Sequence, residues 1–247
     1  MNDFQSGSQI AGEGKPLAYP QTGVANTCRA FKEYEAMFRL TEADWLAGPV
    51  LDVAGGGASF TAHLRGIGIE AYAADPFYAG LTEQVIAEAA KEIEVSSAKI
   101  AAGAGAYDWS FYGSPEQHRK LREESLRRFA EDFRSEGARE RYVAAALPNL
   151  PFADNAFSLV VCSHFLFLYA DAFDERFHTA AIEELLRVLK PGGQLRIYPL
   201  VTLKWEPIPY LTDLIDRVAG RAKAELVPTG LPFTPTPSSL LRLVKLG

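Results

Sequence analysis

Residues 49–60 read Pro-Val-Leu-Asp-Val-Ala-Gly-Gly-Gly-Ala-Ser-Phe, and this stretch decides the fold class. Val50, Leu51 and Val53 form a short apolar, largely β-branched run of the kind found in fully buried parallel strands. The run carries Asp52 near its carboxyl end and breaks into Gly55, Gly56 and Gly57. Three glycines without Cβ atoms allow something to approach the backbone closely. A helix from about Ala58 to Leu64 follows and would aim its N-terminus at the same spot. Strand, glycine turn and helix start together predict a ligand cradle at the carboxyl edge of a parallel sheet.

Working outward, the chain alternates strand and helix. A helix is expected around Thr27–Leu40, with Phe31, Tyr34, Met37 and Phe38 at helical spacing. Strand one is expected at Val50–Ala54 and strand two at Ile69–Ala74, where Asp75-Pro76 stops it. Strand three is expected at about Tyr142–Ala146 and strand four at Phe157–Ser163, after the turn-forming Ala153-Asp154-Asn155. A helix over Asp174–Leu189 ends on Lys190-Pro191-Gly192-Gly193 as a stop signal, followed by strand five at Gln194–Leu200. A helix near Tyr210–Ala219 and two strands, about Ala224–Val227 and Ser239–Leu246, complete the pattern. The expected fold is α/β, a doubly wound, mostly parallel seven-stranded sheet.

One interval breaks the rhythm. About sixty-five residues separate Asp75 from strand three, where a crossover needs about a dozen, so a helical insertion after strand two is expected at about 95–140. Leu81–Ile93 reads as the crossover helix and Ser114–Gly137 as a charged helix placed either as a lid or on an outer face. Ala101–Ala106 reads as a mobile linker. The domain plan is a flexible tail over residues 1–26 and a single domain over 27–247.

The 247 residues carry a net charge of -6, a sequence pI near 5.3 and 48% hydrophobic residues. That disfavours nucleic acid and anionic membrane as partners. The N-terminus lacks the basic start and apolar segment of a signal peptide, and no window is long and apolar enough for a membrane span. Cys28 and Cys162 lie far apart without metal-ligand spacing, as expected of thiols in a reducing compartment, so a cytoplasmic protein without a metal is expected.

Four motifs in register resemble the class I S-adenosylmethionine-dependent methyltransferases. They are Val50–Gly57, the acidic Asp75 after strand two, Leu150-Pro151-Phe152-Ala153-Asp154-Asn155-Ala156-Phe157 before strand four, and Glu184–Gly193 before strand five. The similarity runs from about residue 48 to 200, and the C-terminal strand pair is similar to the antiparallel strands that finish that fold. The resemblance implies S-adenosylmethionine as cofactor, with Asp52, Ala54, Gly55, Gly56, Gly57, Asp75, Pro76, Leu147 and Ser163 as its contacts. Asp52 would help hold the methionine end, and Asp75 would accept hydrogen bonds from the ribose hydroxyls. A nicotinamide cofactor is disfavoured because Phe60 stands where the dinucleotide fingerprint needs its third glycine. The chain departs from the family pattern at Ala54, Ala58, Ala146 and Ser158. A methyl group at Ala54 or Ala58 is tolerated if φ is negative there, but it would narrow the approach to the cofactor.

Methyl transfer requires in-line positioning, and a base only where the acceptor is protonated. The segment Ser163–Tyr169 falls where similar enzymes bring the acceptor, so His164 is the candidate base and Tyr198 the candidate orienting residue. His63, His118 and His178 are assigned no catalytic role. Tyr107, Trp109, Phe111 and Tyr112 in the insertion and Phe31, Tyr34 and Phe38 in the first helix are expected to enclose a small-molecule acceptor, with Arg29 or Lys32 available to an anion. The alternative is an inactive cofactor-binding partner or regulator.

Overall fold

A computed structural model describes residues 18–21 and 23–247; the rest of the expected tail lies outside the described residues. The helices are α1 Phe31–Phe38, α2 Glu42–Leu46, α3 Phe60–Gly66, α4 Thr82–Ala102, α5 Pro115–Phe133, α6 Ala138–Arg141, α7 Glu175–Val188 and α8 Leu211–Val218. The strands are β1 Val50–Val53, β2 Ala71–Ala74, β3 Tyr142–Val143, β4 Phe157–Ser163, β5 Leu189–Tyr198, β6 Ala222–Pro228 and β7 Ser239–Lys245.

The seven strands form one sheet in the order β3-β2-β1-β4-β5-β7-β6. The pairs from β3 to β5 are parallel, and β7 runs antiparallel to both β5 and β6. The order reverses between β1 and β4, the switch point where open α/β sheets place their ligands.

Strand alternation separates two cores. Leu51, Val53, Val160, Cys162, Leu195 and Ile197 face α7 and α8, while Val50, Leu159, Val161 and Tyr198 face α1 and α3. With a period of two, Asp52 falls on the α1 face.

Several boundaries move for identifiable reasons. β1 stops at Val53 because Ala54 turns left-handed, with φ of 58°. β3 keeps only two residues, and Ala146 instead bridges Asn149 in a turn. Lys190-Pro191-Gly192-Gly193 is no stop between elements: β5 already begins at Leu189, pairs with Phe157, and recovers its ladder at Gln194 after an irregularity. The expected linker at 101–106 is the last turn of α4 followed by a short 3₁₀ turn over Ala104–Ala106. α4 runs past Ile93 because Ala, Lys, Glu and Ser at 94–102 sustain a helix.

The described part of the tail is tied down. Tyr19 N donates to Leu203 O at 2.8 Å and Ala25 N to the Tyr169 hydroxyl at 2.9 Å.

Candidate functional site

Gly55, Gly56 and Gly57 are approached closely, but by the chain itself. A Cβ on Gly56 would stand 3.2 Å from Asn26 Cα and 3.3 Å from Thr27 N; one on Gly57 would stand 2.7 Å from Cys28 Sγ. The segment 24–29 therefore lies across the glycine turn as a strap. Three amides of the turn and helix start are also committed: Gly56 N donates to Asp75 Oδ2 at 3.0 Å, Ala58 N to Gly55 O at 3.0 Å, and Ser59 N to Arg29 O at 3.0 Å and Ser125 Oγ at 3.1 Å. The expected open cradle and ligand-facing helix start are thus corrected. Neither the three glycines nor the start of α3 lines a recess, because the strap and α5 cover them.

Asp52 is placed differently too. It is 1% exposed and lines neither recess. Its Oδ2 accepts from the Tyr34 hydroxyl at 2.9 Å, and its Oδ1 has no hydrogen-bond partner among the described residues. Burial pushes its pKa well above the usual carboxylate range; the Tyr34 bond opposes that shift without cancelling it. Asp52 sits under Gly55, whose added Cβ would lie 3.0 Å from Oδ2. It organises the turn from below rather than facing a ligand.

Beyond the turn, two recesses meet at the carboxyl edge and share Val24, Ala54, Asp75 and Phe165. The outer one is lined by Asp75, Pro76, Phe77, Ala145, Ala146 and Leu147. Asp75 holds its position at the end of β2 by accepting from Gly56 N and, at 2.9 Å, from Phe77 N. These two amides favour its charge, burial opposes it more strongly, and the pKa ends above its ordinary value. Each carboxylate oxygen retains a lone pair for a hydroxyl. Apolar Pro76, Phe77 and Leu147 stand beside it, and Ala146 supplies no acidic side chain, so the slot offers one carboxylate next to an apolar surface.

The inner recess, about 900 Å³ with its mouth included, is enclosed by the strap, α4, α5 and the loop after β4. Ser163 and His164 enter it from the end of β4, and Tyr107 from the insertion. His164 has φ of 51°, and its ring Nδ1 lies 3.1 Å from Ser163 Oγ. Burial, with Arg29 and Arg122 adding to it, pushes its pKa well below the usual histidine value, so the ring is neutral. Tyr198 lines neither recess. Alternation along β5 turns it toward the α1 face, where its ring packs against that of His164 with centroids 5.2 Å apart. The candidate orienting role of Tyr198 thus lacks a line to the recess.

A buried polar cluster forms one wall and went unrecognised in the sequence. Arg122 donates to Glu33 Oε2 at 2.5 Å and the Tyr112 hydroxyl donates to Glu33 Oε1 at 2.6 Å. His118, which the sequence gave no role, lies with Nε2 3.1 Å from Arg122 Nη2 and lines the recess. Burial first, then Arg122 and Arg29, push its pKa down to about 2. One signal was available: His118, Arg122 and Ser125 continue the same helical stripe as Phe129 and Phe133, which marks them as inward-facing. α5 thus contributes wall rather than a solvated outer face. Lys32 is exposed, and Phe31 stacks on His63 and Phe60; the wall expected of α1 is supplied instead by Thr27 and Arg29 just before it.

Residues 116–197 match the family model described as a methyltransferase domain. An uncharacterized protein of Methanocaldococcus jannaschii is 29% identical over 206 residues, covering 83% of this chain and 89% of the relative. Among solved structures, the chain is similar to an S-adenosylmethionine-dependent methyltransferase of Aquifex aeolicus (13% identity, TM-score 0.39, 80% of this chain and 81% of that one). It is also similar to the N-methyltransferase NodS of Bradyrhizobium japonicum, solved with S-adenosyl-L-homocysteine (13% identity, TM-score 0.40, 80% and 78%). Over residues 116–197 the chain is thus similar to the methyltransferase domain family, on a sheet that reverses order between β1 and β4 and carries Asp75 at its carboxyl edge.

Proposed function

We propose that this protein transfers the methyl group of S-adenosylmethionine to a small-molecule acceptor held in the inner recess. The observation that carries this reading is the pair of recesses meeting at Ala54, Asp75 and Phe165. The outer recess offers a carboxylate beside an apolar slot, as a nucleoside requires. The inner one is enclosed by aromatic side chains on several sides, and the chain's net charge of -6 gives no overall attraction for a nucleic-acid polymer.

S-adenosylmethionine, when bound, supplies an electrophilic methyl on a sulfonium. The chain's own residues would do the rest. Asp75 accepts from the ribose hydroxyls, Pro76 and Leu147 flank the adenine, and Ala54 and Ser163 bound the passage between the recesses. Asp52 acts on the cofactor only through the turn it supports. His164 would take the acceptor's proton where the acceptor carries one, a role supported by its neutral ring and its position on the lining of the inner recess. Its buried cationic form is costly, so a proton held there must pass on quickly.

Calorimetry with S-adenosylhomocysteine tests the cofactor half. Micromolar binding by the wild type and a loss of about tenfold or more in Asp75→Ala are expected, since one charge-assisted hydrogen-bond set is worth about 1.5–3 kcal/mol. Equal binding by the two proteins would remove Asp75 from the site. Incubation with a metabolite extract, read as S-adenosylhomocysteine formed, then separates an enzyme from an inactive binding protein.

A further inference from the structure

Arg29 is the least compensated charge in the inner recess. Its side chain is 9% exposed, and Nε and Nη1 have no hydrogen-bond partner among the described residues. Its ion-pair neighbour is Glu33, whose Oε1 lies 3.6 Å from Nη1. That carboxylate is already engaged by Arg122, by the Tyr112 hydroxyl and by Ala30 N at 2.6 Å. Two guanidinium groups therefore share one carboxylate that already accepts three other hydrogen bonds, and the histidines that face them, His118 and His164, are held neutral. Arg29 is thus left without a hydrogen-bonding anion of its own at a nearly buried position, a costly arrangement unless a ligand completes it. Arg29 lines the inner recess, which Asp75 also lines, and not the outer recess bounded by Pro76 and Leu147. Around it stand Tyr19, Phe165, Tyr169, Trp205 and Phe233, faces suited to an apolar or ring-bearing body.

We infer that Arg29 seats an anionic group of the methyl acceptor, so that the substrate class is a compact carboxylate with an apolar body. This rests on the methyl-transfer reading above for the meaning of the recess. The guanidinium supplies binding and orientation, holding the anion at the strap end while the acceptor's nucleophile points toward Ser163 and His164. An anion there also offsets the positive field that disfavours a cationic His164. Acceptor binding would thereby make that ring a better base at the time it is needed.

Benzoate is a suitable probe, with benzamide as its uncharged counterpart. Each is titrated into the full chain with and without S-adenosylhomocysteine. Benzoate is expected to bind at least tenfold more tightly than benzamide. Arg29→Met should lose that preference while leaving affinity for S-adenosylhomocysteine within twofold, and Arg29→Lys should keep part of it. Thermal melts of both variants report whether they fold; if Arg29→Met does not, the Arg29→Lys comparison decides. Equal binding of benzoate and benzamide, or no binding of benzoate, overturns the inference. So does an Arg29→Met protein that loses S-adenosylhomocysteine but keeps 5′-methylthioadenosine, which lacks the carboxylate, for then the guanidinium serves the cofactor. Failure of the wild type to bind S-adenosylhomocysteine overturns the methyl-transfer reading instead, and the benzoate-to-benzamide ratio without it still judges Arg29.

Discussion

Replacing Ala54 by glycine should stabilise this protein, although it deletes a methyl group from a well-packed sheet edge. Ala54 has φ of 58°, and its amide donates to Ala74 O at 2.8 Å, which ties it to the end of β2. An L-residue in this region is disfavoured by about 1–2 kcal/mol relative to right-handed backbone. Glycine removes that strain and adds about 0.5–1 kcal/mol of unfolded-chain entropy. The difference favours Ala54→Gly by about 0.5–1 kcal/mol, or roughly 2–4 °C in Tm per kcal/mol for a chain of this size. Urea unfolding followed by the fluorescence of Trp45, Trp109 and Trp205 measures it. Because Ala54 borders both recesses, affinity for S-adenosylhomocysteine should hold or improve. Gly56→Ala supplies the opposite sign. Its φ is 51° and the new Cβ would press on the Asn26 backbone at 3.2 Å, so a loss of about 1–3 kcal/mol is expected from left-handed strain and overpacking together. A lower midpoint for Ala54→Gly, or an undisturbed Gly56→Ala, would refute the left-handed turn beneath the strap.

Other outcomes follow from the buried charges. Glu33→Gln leaves Arg122 and Arg29 facing each other without a carboxylate and should cost about 3–5 kcal/mol, read as a drop in the urea midpoint; a loss under about 1 kcal/mol would show that the cluster is solvated. Asp52→Asn should behave oppositely. Because the folded pKa of Asp52 is raised, the folded state holds the proton more tightly and wild-type stability falls as pH rises from the unfolded value near 3.8 toward the folded one. The variant, which cannot ionise, should lack that fall and exceed the wild type increasingly as pH rises above the unfolded value; a constant offset between them would contradict a raised Asp52 pKa. Glu33 gives the reverse slope in wild type. Burial disfavours its charge, but Arg122, Arg29 and Tyr112 outweigh it and hold the pKa low, so its contribution is present above about pH 4.5 and lost on further acidification. A stability curve that stays flat below pH 4.5, and is matched there by Glu33→Gln, would contradict that.

The parallel strands were readable because burial on both faces writes itself as local apolar runs; β4 falls on Phe157–Ser163 as expected. The cap of α7 was readable for a similar reason, since Asp174 accepts from Phe177 N within its own turn. The inner recess was not. Arg29, His118, Arg122, His164 and Phe233 come from four segments, and although His118 and Arg122 share a stripe on α5, no spacing within one segment announces the meeting of all four. Phe233, stacked on Tyr107 and His118, lies in a stretch rich in Pro and Thr that reads only as a loop. The glycine turn misled in a specific way: glycine spacing reports that something comes close, not whether it is a ligand or residues 26–28.

The strap across that turn divides the molecule dynamically. The sheet is a continuous ladder from β3 to β6, whereas the strap rests on it through single contacts such as Ala25 to Tyr169 and Ser59 to the Arg29 carbonyl. Such a roof opens by sub-global fluctuation long before the sheet unfolds. The amides of residues 24–29 then exchange with solvent on their own timescale while those of β1 and β4 wait for global unfolding, and ligand entry needs only the first of these events.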